Sequence, residues 1–265
     1  MKTPKVTGNR IKEYLAEGKR FDGRKPEQFR EIIIEEDISK KAEGSVRVKI
    51  GKTEVIVGVK MDVSEPYPDS QNKGNLMTTA ELTPLSSSRI DLGKPGFPSI
   101  EIGRVIDRAL RESGFIEFEK LCIKEGEKVW TLFVDIYSIN DDGNLLDAAG
   151  IGAVTALMRA KIPKYDEKEE KVVHGEWTDE KVPLTSNIPL SITMHKIGDN
   201  FLVDPTREEE DISETRVTIG THNGMISSMQ KGETESLTME EFDKVLELSE
   251  KTNNEVFKKI EKFLK

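Results

Sequence analysis

The chain has 265 residues, 35% of them hydrophobic and 34% charged, with a formal net charge of -9. That length holds one large domain or two small ones, and the apolar share is too high for a disordered chain. The acidic balance excludes strong general binding of phosphate backbones by the chain alone, so any nucleic-acid contact must come from a local cationic stripe or from a partner.

In chain order, Asn9 to Gly18 reads as a short amphipathic helix with Ile11, Tyr14 and Leu15 on one face and Gly18 as its C-cap. The polar stretch from Arg20 to Glu31 reads as a loop. Ile32, Ile33 and Ile34 start a strand, and Ser45–Ile50 and Thr53–Lys60 flank Gly51-Lys52, a two-residue hairpin signal. Residues 61–75 and 83–98 read as long loops around a strand at Leu76–Leu82. Ser99–Ser113 has helical periodicity, with Ile102, Val105, Ile106, Ala109 and Leu110 on one face and Gly114 as the stop. Cys122, the only cysteine, reads as a buried strand residue and leaves no internal disulfide or thiolate metal site.

Trp130–Ile139 predicts a strand closed by a turn at residues 140–143, and Leu146–Ala160 a small-residue helix. Residues 163–182 are charged and poor in aliphatics, and they read as the boundary between two halves. Strands follow around residues 188–195 and 201–203, then at 217–220 and 225–229 about an Asn223-Gly224 turn. A last helix runs from Thr238, which with Glu241 forms a capping box, to Lys265. Strands followed by helix, given twice, make the class α+β with mixed or antiparallel sheets. The division read from the sequence is an N-terminal helix and loop at 1–30, a first half at 31–165, a charged linker at 166–187 and a second half at 188–265. No apolar run approaches the roughly 18 residues that span a membrane, and MKTPKVTGNR lacks an apolar signal core, so the expected compartment is the cytosol.

No self-contained catalytic motif is present, and His174, His195 and His222 stand far apart in sequence. The acidic cluster Glu208-Glu209-Glu210-Asp211 could bind a hard cation, but it reads better as a solvated loop. The run Ser86-Ser87-Ser88-Arg89 could cradle a phosphate, a weak signal. Arg104, Arg108 and Arg111 are stronger, because three of the chain's 12 arginines share one helix face at i, i+4 and i+7. A planar guanidinium suits phosphate oxygens. The bland alternative pairs Arg111 with Asp107 and Arg108 with Glu112.

Several stretches occur together in a specific order: RFDGR at 20–24, GSVRV at 44–48, GKTEVIVGV at 51–59, SIEIGRVIDRALR at 99–111, LDAAG at 146–150 and DPTREEE at 204–210. In this order the chain resembles the RNase PH family, in the branch of the larger, non-catalytic ring subunits of the archaeal exosome. The resemblance implies two βαβα-type halves packed as one unit. It also implies a six-membered ring, three of each subunit, in which this type alternates with a catalytic homologue. RNA-binding cap proteins sit on one face, and single-stranded RNA is degraded from its 3′ end with inorganic phosphate as co-substrate of the partner's site.

No cofactor or metal is expected on this subunit. By the same resemblance Arg104 and Arg108 grip phosphates of the RNA tail, with Arg111 a third candidate. Arg216 stands where active members carry an aspartate. Asp147-Ala148-Ala149-Gly150 is matched to their phosphate loop, so Ala148 and Ala149 mark lost positions, and residues 96–99 lack their adjacent arginines. The alternatives are a chain active by itself through Asp204, Glu208 and Asp211, and a nucleotide or small-molecule binding protein of related fold.

Overall fold

The computed structural model describes residues 3–91, 93–166 and 168–265. Met1, Lys2, Leu92 and Glu167, which fall in the N-terminal segment, the second loop and the charged stretch, lie outside the described residues.

Helix α1 spans Lys5–Ala16 and ends where Gly18 adopts a φ of 73°, a left-handed stop. Strands β1 (Ile32–Glu36), β2 (Gly44–Ile50), β3 (Thr53–Ser64) and β4 (Asn75–Leu82) follow, then helix α2 (Phe97–Glu112). Next come β5 (Cys122–Lys124), β6 (Lys128–Asn140) and helix α3 (Leu145–Arg159). The first sheet runs β1-β2-β3-β6-β4, with β5 on the far end of β6; only the β4–β6 pairing is parallel. Valines at 46, 48, 55, 57 and 59 are all buried on one face, as period-two alternation requires.

The second half has β9 (Leu190–Ile197), β10 (Asn200–Val203), a one-turn helix α4 (Arg207–Asp211), β11 (Thr215–His222), β12 (Met225–Gly232) and α5 (Met239–Ile260). Its antiparallel sheet runs β10-β9-β11-β12. Asn223 and Gly224 both take positive φ, 49° and 77°, as a two-residue hairpin turn demands. Thr238 and Glu241 form both bonds of the capping box that starts α5.

Helix α3 joins the halves. It packs on β2 and β3 on one side and on β9 on the other, and its residues 145–157 are all buried. A helix enclosed on all sides must be apolar or small all round. At Gly152 the fit is so close that a Cβ would lie 2.6 Å from Val57 Cγ2. Helix α2 lies beside α3, on β4 and against β12, and so touches both sheets. Gly103 permits the approach to β4, since a Cβ there would meet the Thr78 carbonyl at 3.1 Å.

Three expectations change. The charged stretch is not an unstructured linker: it folds as the hairpin β7 (Lys161–Asp166) and β8 (Lys171–Lys181), whose side chains are largely exposed, so its strands carry no apolar alternation to read. Cys122 is in a strand, but on the short edge strand β5, and is only partly buried. The acidic cluster is a capped helical turn, with Thr206 and Glu209 forming its capping box. Glu209 is buried there, so the cluster is not a solvated loop.

Candidate functional site

Arg104 and Arg108 stand exposed on α2, on a ridge between two grooves. One groove, about 420 Å³, lies between α2 and β12 and includes Phe97, Ile100, Ser228, Met229 and Gln230. The other, about 410 Å³, lies over β4 and includes Thr78, Thr79, Pro95 and Asp107. The helix exposes these arginines because its opposite face, Ile102, Val105, Ile106, Ala109 and Leu110, is buried in the core.

The third member of the stripe differs. The Arg111 guanidinium grips Asp107 through Nη2 at 3.0 Å and Nε at 3.1 Å, donates to the Leu76 carbonyl at 3.1 Å and lies 5.8 Å from the Phe118 ring. Among the described residues, ten of the 12 arginines are in ion pairs. The two without one are Arg104 and Arg108. The Arg108–Glu112 pair of the bland alternative is not formed.

Beside the α2–β12 groove, past Phe97 and Glu101, a cavity of about 420 Å³ opens between α2, the start of α3, α4 and β11. Its wall holds three guanidiniums, and each has an acid. Arg89 meets Asp211 at 2.5 Å, Arg207 meets Asp141, Glu210 and Asp211 at 3.0–3.2 Å, and Arg216 meets Glu101 at 2.5 Å. Burial alone would raise the Asp211 carboxyl, but hydrogen bonds from Arg89 and Thr3 and the charge of Arg207 hold it at about 2. Burial pushes Glu210 up despite Arg207.

Arg216 thus lines the cavity, but Ala148 and Ala149 do not. Both are fully buried inside α3, facing the core, so they cannot form a lost phosphate loop. The residues of α3 that reach the cavity are Leu145 and Leu146, two aliphatic side chains with nothing to donate. The motif 146–150 is therefore a packing motif. The serine run is no cradle either. Ser86 is buried, donates to the Thr83 carbonyl at 2.7 Å and accepts from Ser138 at 2.8 Å, while Arg89 is held by Asp211.

Of the three carboxylates of the self-sufficient alternative, Asp204 and Asp211 are held by arginines, while Glu208 is exposed on α4. Asp204 is fully buried and accepts from Arg24, Arg30 and Asn144 at 2.7–2.9 Å. Arg20 donates to Glu209 and to the Val203 and Asp204 carbonyls. Residues 20–24 and 204–210, far apart in sequence, are thus two halves of one buried ionic lock.

Sequence reasoning named Asp147 and His195 but not their burial. Asp147 is buried, accepts from the Thr193 hydroxyl at 2.6 Å, and is pushed up to about 7 by burial, only partly offset by that bonding. His195 faces Arg216 across the β9–β11 ladder, and burial, then the Arg216 charge, press it down to about 3. Among the described residues no group of three or more His, Cys, Asp or Glu is arranged to hold a metal ion, and no helix is long and apolar enough to cross a membrane.

Family models for the 3' exoribonuclease family match this chain, domain 1 over residues 28–163 and domain 2 over 187–252. The chain belongs to the 3' exoribonuclease (RNase PH) family. A relative from Thermococcus onnurineus, "Exosome complex component Rrp42", is 47% identical over 89% of this chain and 87% of its own length. Among solved structures, an "archaeoglobus fulgidus exosome with RNA bound to the active site" contains a chain that superposes with a TM-score of 0.89. That chain is 39% identical, over 97% of this chain and 98% of its own length. A chain of an "Archaeal exosome core" superposes with a TM-score of 0.84 at 37% identity, over 98% and 97% of the two chains. The RNase PH-like fold expected from the sequence is the fold observed.

Proposed function

We propose that this chain is a structural, RNA-holding subunit of an exosome-type ring, silent by itself and working beside a catalytic homologue. The observation that carries the reading is the arginine inventory: among the described residues every other arginine is in an ion pair, while Arg104 and Arg108 line open grooves with none. Two free guanidiniums on one helix face suit two phosphates of a single-stranded tail. The names of the relatives, exosome components and an exosome with RNA at its active site, support the setting.

Silence of the neighbouring cavity follows from its chemistry. Position 216 carries a guanidinium in place of a carboxyl, and a guanidinium supplies no general acid. Loss of general acid help costs roughly 10²–10⁴ in rate. Leu145 and Leu146 offer no donor to offset the desolvation of a phosphate ion. In this reading phosphate is the co-substrate of the partner's site, no cofactor resides on this chain, and cap proteins cover one face of a ring of three such pairs in the cytoplasm.

The test compares the purified chain, the chain with its catalytic partner, and that complex carrying Arg104→Glu and Arg108→Glu. The chain alone with RNA and phosphate is expected to release no nucleoside diphosphate above background, and the complex to release it. The doubly substituted complex should lose RNA affinity, and its log–log salt slope should become shallower by about 1.4. Diphosphate release by the chain alone would refute the silent site. Unchanged RNA binding by the substituted complex would refute the role of the two arginines.

A further inference from the structure

A guanidinium at position 216 is more than the absence of an acid. Arg216 lies on β11, between His195 of β9 and Gly232 of β12. Its Nη2 donates to Glu101 Oε1 on α2 at 2.5 Å, with the two side chains only 12% and 11% exposed. The strand beside it makes room: a Cβ on Gly232 would lie 2.5 Å from Arg216 Nη2. The facing histidine is kept neutral, so the ladder places no second cation against the guanidinium. Three elements therefore converge on one ion pair.

Its location matters. Glu101 precedes Arg104 by one helical turn and lies in the wall of both the α2–β12 groove and the cavity. The start of α2 has little else of a polar kind to fix it. Its N-cap is Gly96, with no side-chain cap bond, and Phe97 and Ile100 are 74% and 52% exposed. The apolar face and Gly103 seat the helix on β4, in the first sheet. The Glu101–Arg216 pair ties it to the second.

We infer that Arg216 is a positioning residue: through Glu101 it clamps the start of α2 to β11 and so sets the line along which Arg104 and Arg108 meet the RNA backbone. This rests on the proposed role of those two arginines. Putting an aspartate back at 216 would not revive a catalytic site; it would set two carboxylates against each other and loosen the helix that holds RNA.

The test uses the reconstituted complex with its catalytic partner. Four versions are compared: wild type, Arg216→Asp, Arg216→Met, and the swap Glu101→Arg with Arg216→Glu. Each is measured for assembly by size exclusion, for RNA affinity across salt, and for amide exchange of residues 97–104. Arg216→Asp is expected to assemble, to lose affinity by about tenfold to a hundredfold, as misplaced contacts do, and to exchange faster across the first turns of α2. The swap is expected to recover most of both losses, which a merely structural loss of cavity packing would not do. Should Arg216→Asp fail to assemble, Arg216→Met gives the same reading without like-charge repulsion.

Affinity within twofold of wild type in the assembled substitution variants, or a swap that recovers nothing, would overturn the inference. The Arg104→Glu, Arg108→Glu complex separates the two ideas. If it loses RNA while the Arg216 variants do not, only the clamp is wrong. If it keeps RNA, the role of the arginines is wrong and the clamp has nothing to aim.

Discussion

Asp204→Ala should be among the most damaging single changes in the molecule. The carboxylate is fully buried and receives five hydrogen bonds: from Arg24 Nη1 at 2.8 Å, from Arg30 N, Nε and Nη2 at 2.7, 2.9 and 2.7 Å, and from Asn144 Nδ2 at 2.9 Å. Removing it leaves two mostly buried guanidiniums facing each other's field with no anion between them. Deleting one partner of a buried pair costs roughly 3–5 kcal/mol, against a total stability of about 5–15 kcal/mol. The residue also has a φ of 47°, which alanine tolerates poorly and asparagine well. Asp204→Asn therefore isolates the charge: it keeps the shape and one acceptor, and should lose about half as much.

Burial alone would raise the Asp204 carboxyl, but the bonds and charges of Arg30 and Arg24 hold it below the ordinary carboxylate range. Its stabilisation is complete above the unfolded value of 3.8 and is lost as pH falls through the lowered folded value. The Asn variant should lack that acid-dependent component. Urea unfolding followed by the fluorescence of Trp130, which is buried on β6, measures both effects. A loss under about 1 kcal/mol for Asp204→Ala would mean that the lock between residues 20–24 and 204–210 is not a structural element.

Two further outcomes are expected. Asp147→Asn should gain on wild type as pH rises from 3.8 to about 7, because wild type must either keep the buried carboxyl protonated or bury its charge. The difference, bounded at roughly 4 kcal/mol, should level off above that window, whereas one that shrinks with rising pH in urea titrations would have the wrong sign. Neutral His195 acts oppositely in wild type, lowering stability as pH falls from 6.5 towards 3, so only the difference between the two proteins is informative. Arg111→Ala should cost under about 1 kcal/mol of stability and leave the RNA salt slope unchanged, since Asp107 already neutralises Arg111; a shallower slope by filter binding would return Arg111 to the RNA contact.

Much of the architecture was legible because its signals are local. The Gly51 and Asn223-Gly224 turns, the capping box of Thr238 and Glu241, and the apolar face of α2 each depend on residues within a few positions of one another. The β7–β8 hairpin was not legible, since strands exposed on both faces have no alternation to show. The Ala148-Ala149 assignment failed for a different reason. Small residues at the start of a helix look alike whether they leave room for a ligand or for a sheet, and only the position of β2, β3 and β9 decides. Ion pairs between distant residues were equally hidden. Nothing near Arg216 in sequence names Glu101, and nothing near Arg20 names Glu209. The i, i+4 partner of Arg111 was visible; the absence of one for Arg108 was not.

The cavity does not lack acids. Glu101, Asp141, Glu210, Asp211 and Glu233 line it, against Arg89, Arg207 and Arg216. Four of these five carboxylates are held in pairs by the three guanidiniums, and the fifth, Glu233, is exposed just past the end of β12. An aspartate at 216 would leave six carboxyls against two arginines in a space of about 420 Å³, and repulsion would force several of them to take up protons. The cation at 216 therefore balances a cavity whose other charges favour structure over turnover. Regaining chemistry here would need changes at Glu101, Leu145 and Leu146 together with Arg216, and the first of these would release the helix that carries Arg104 and Arg108. In the proposed reading, silence of the cavity and grip on RNA are two consequences of one ion pair.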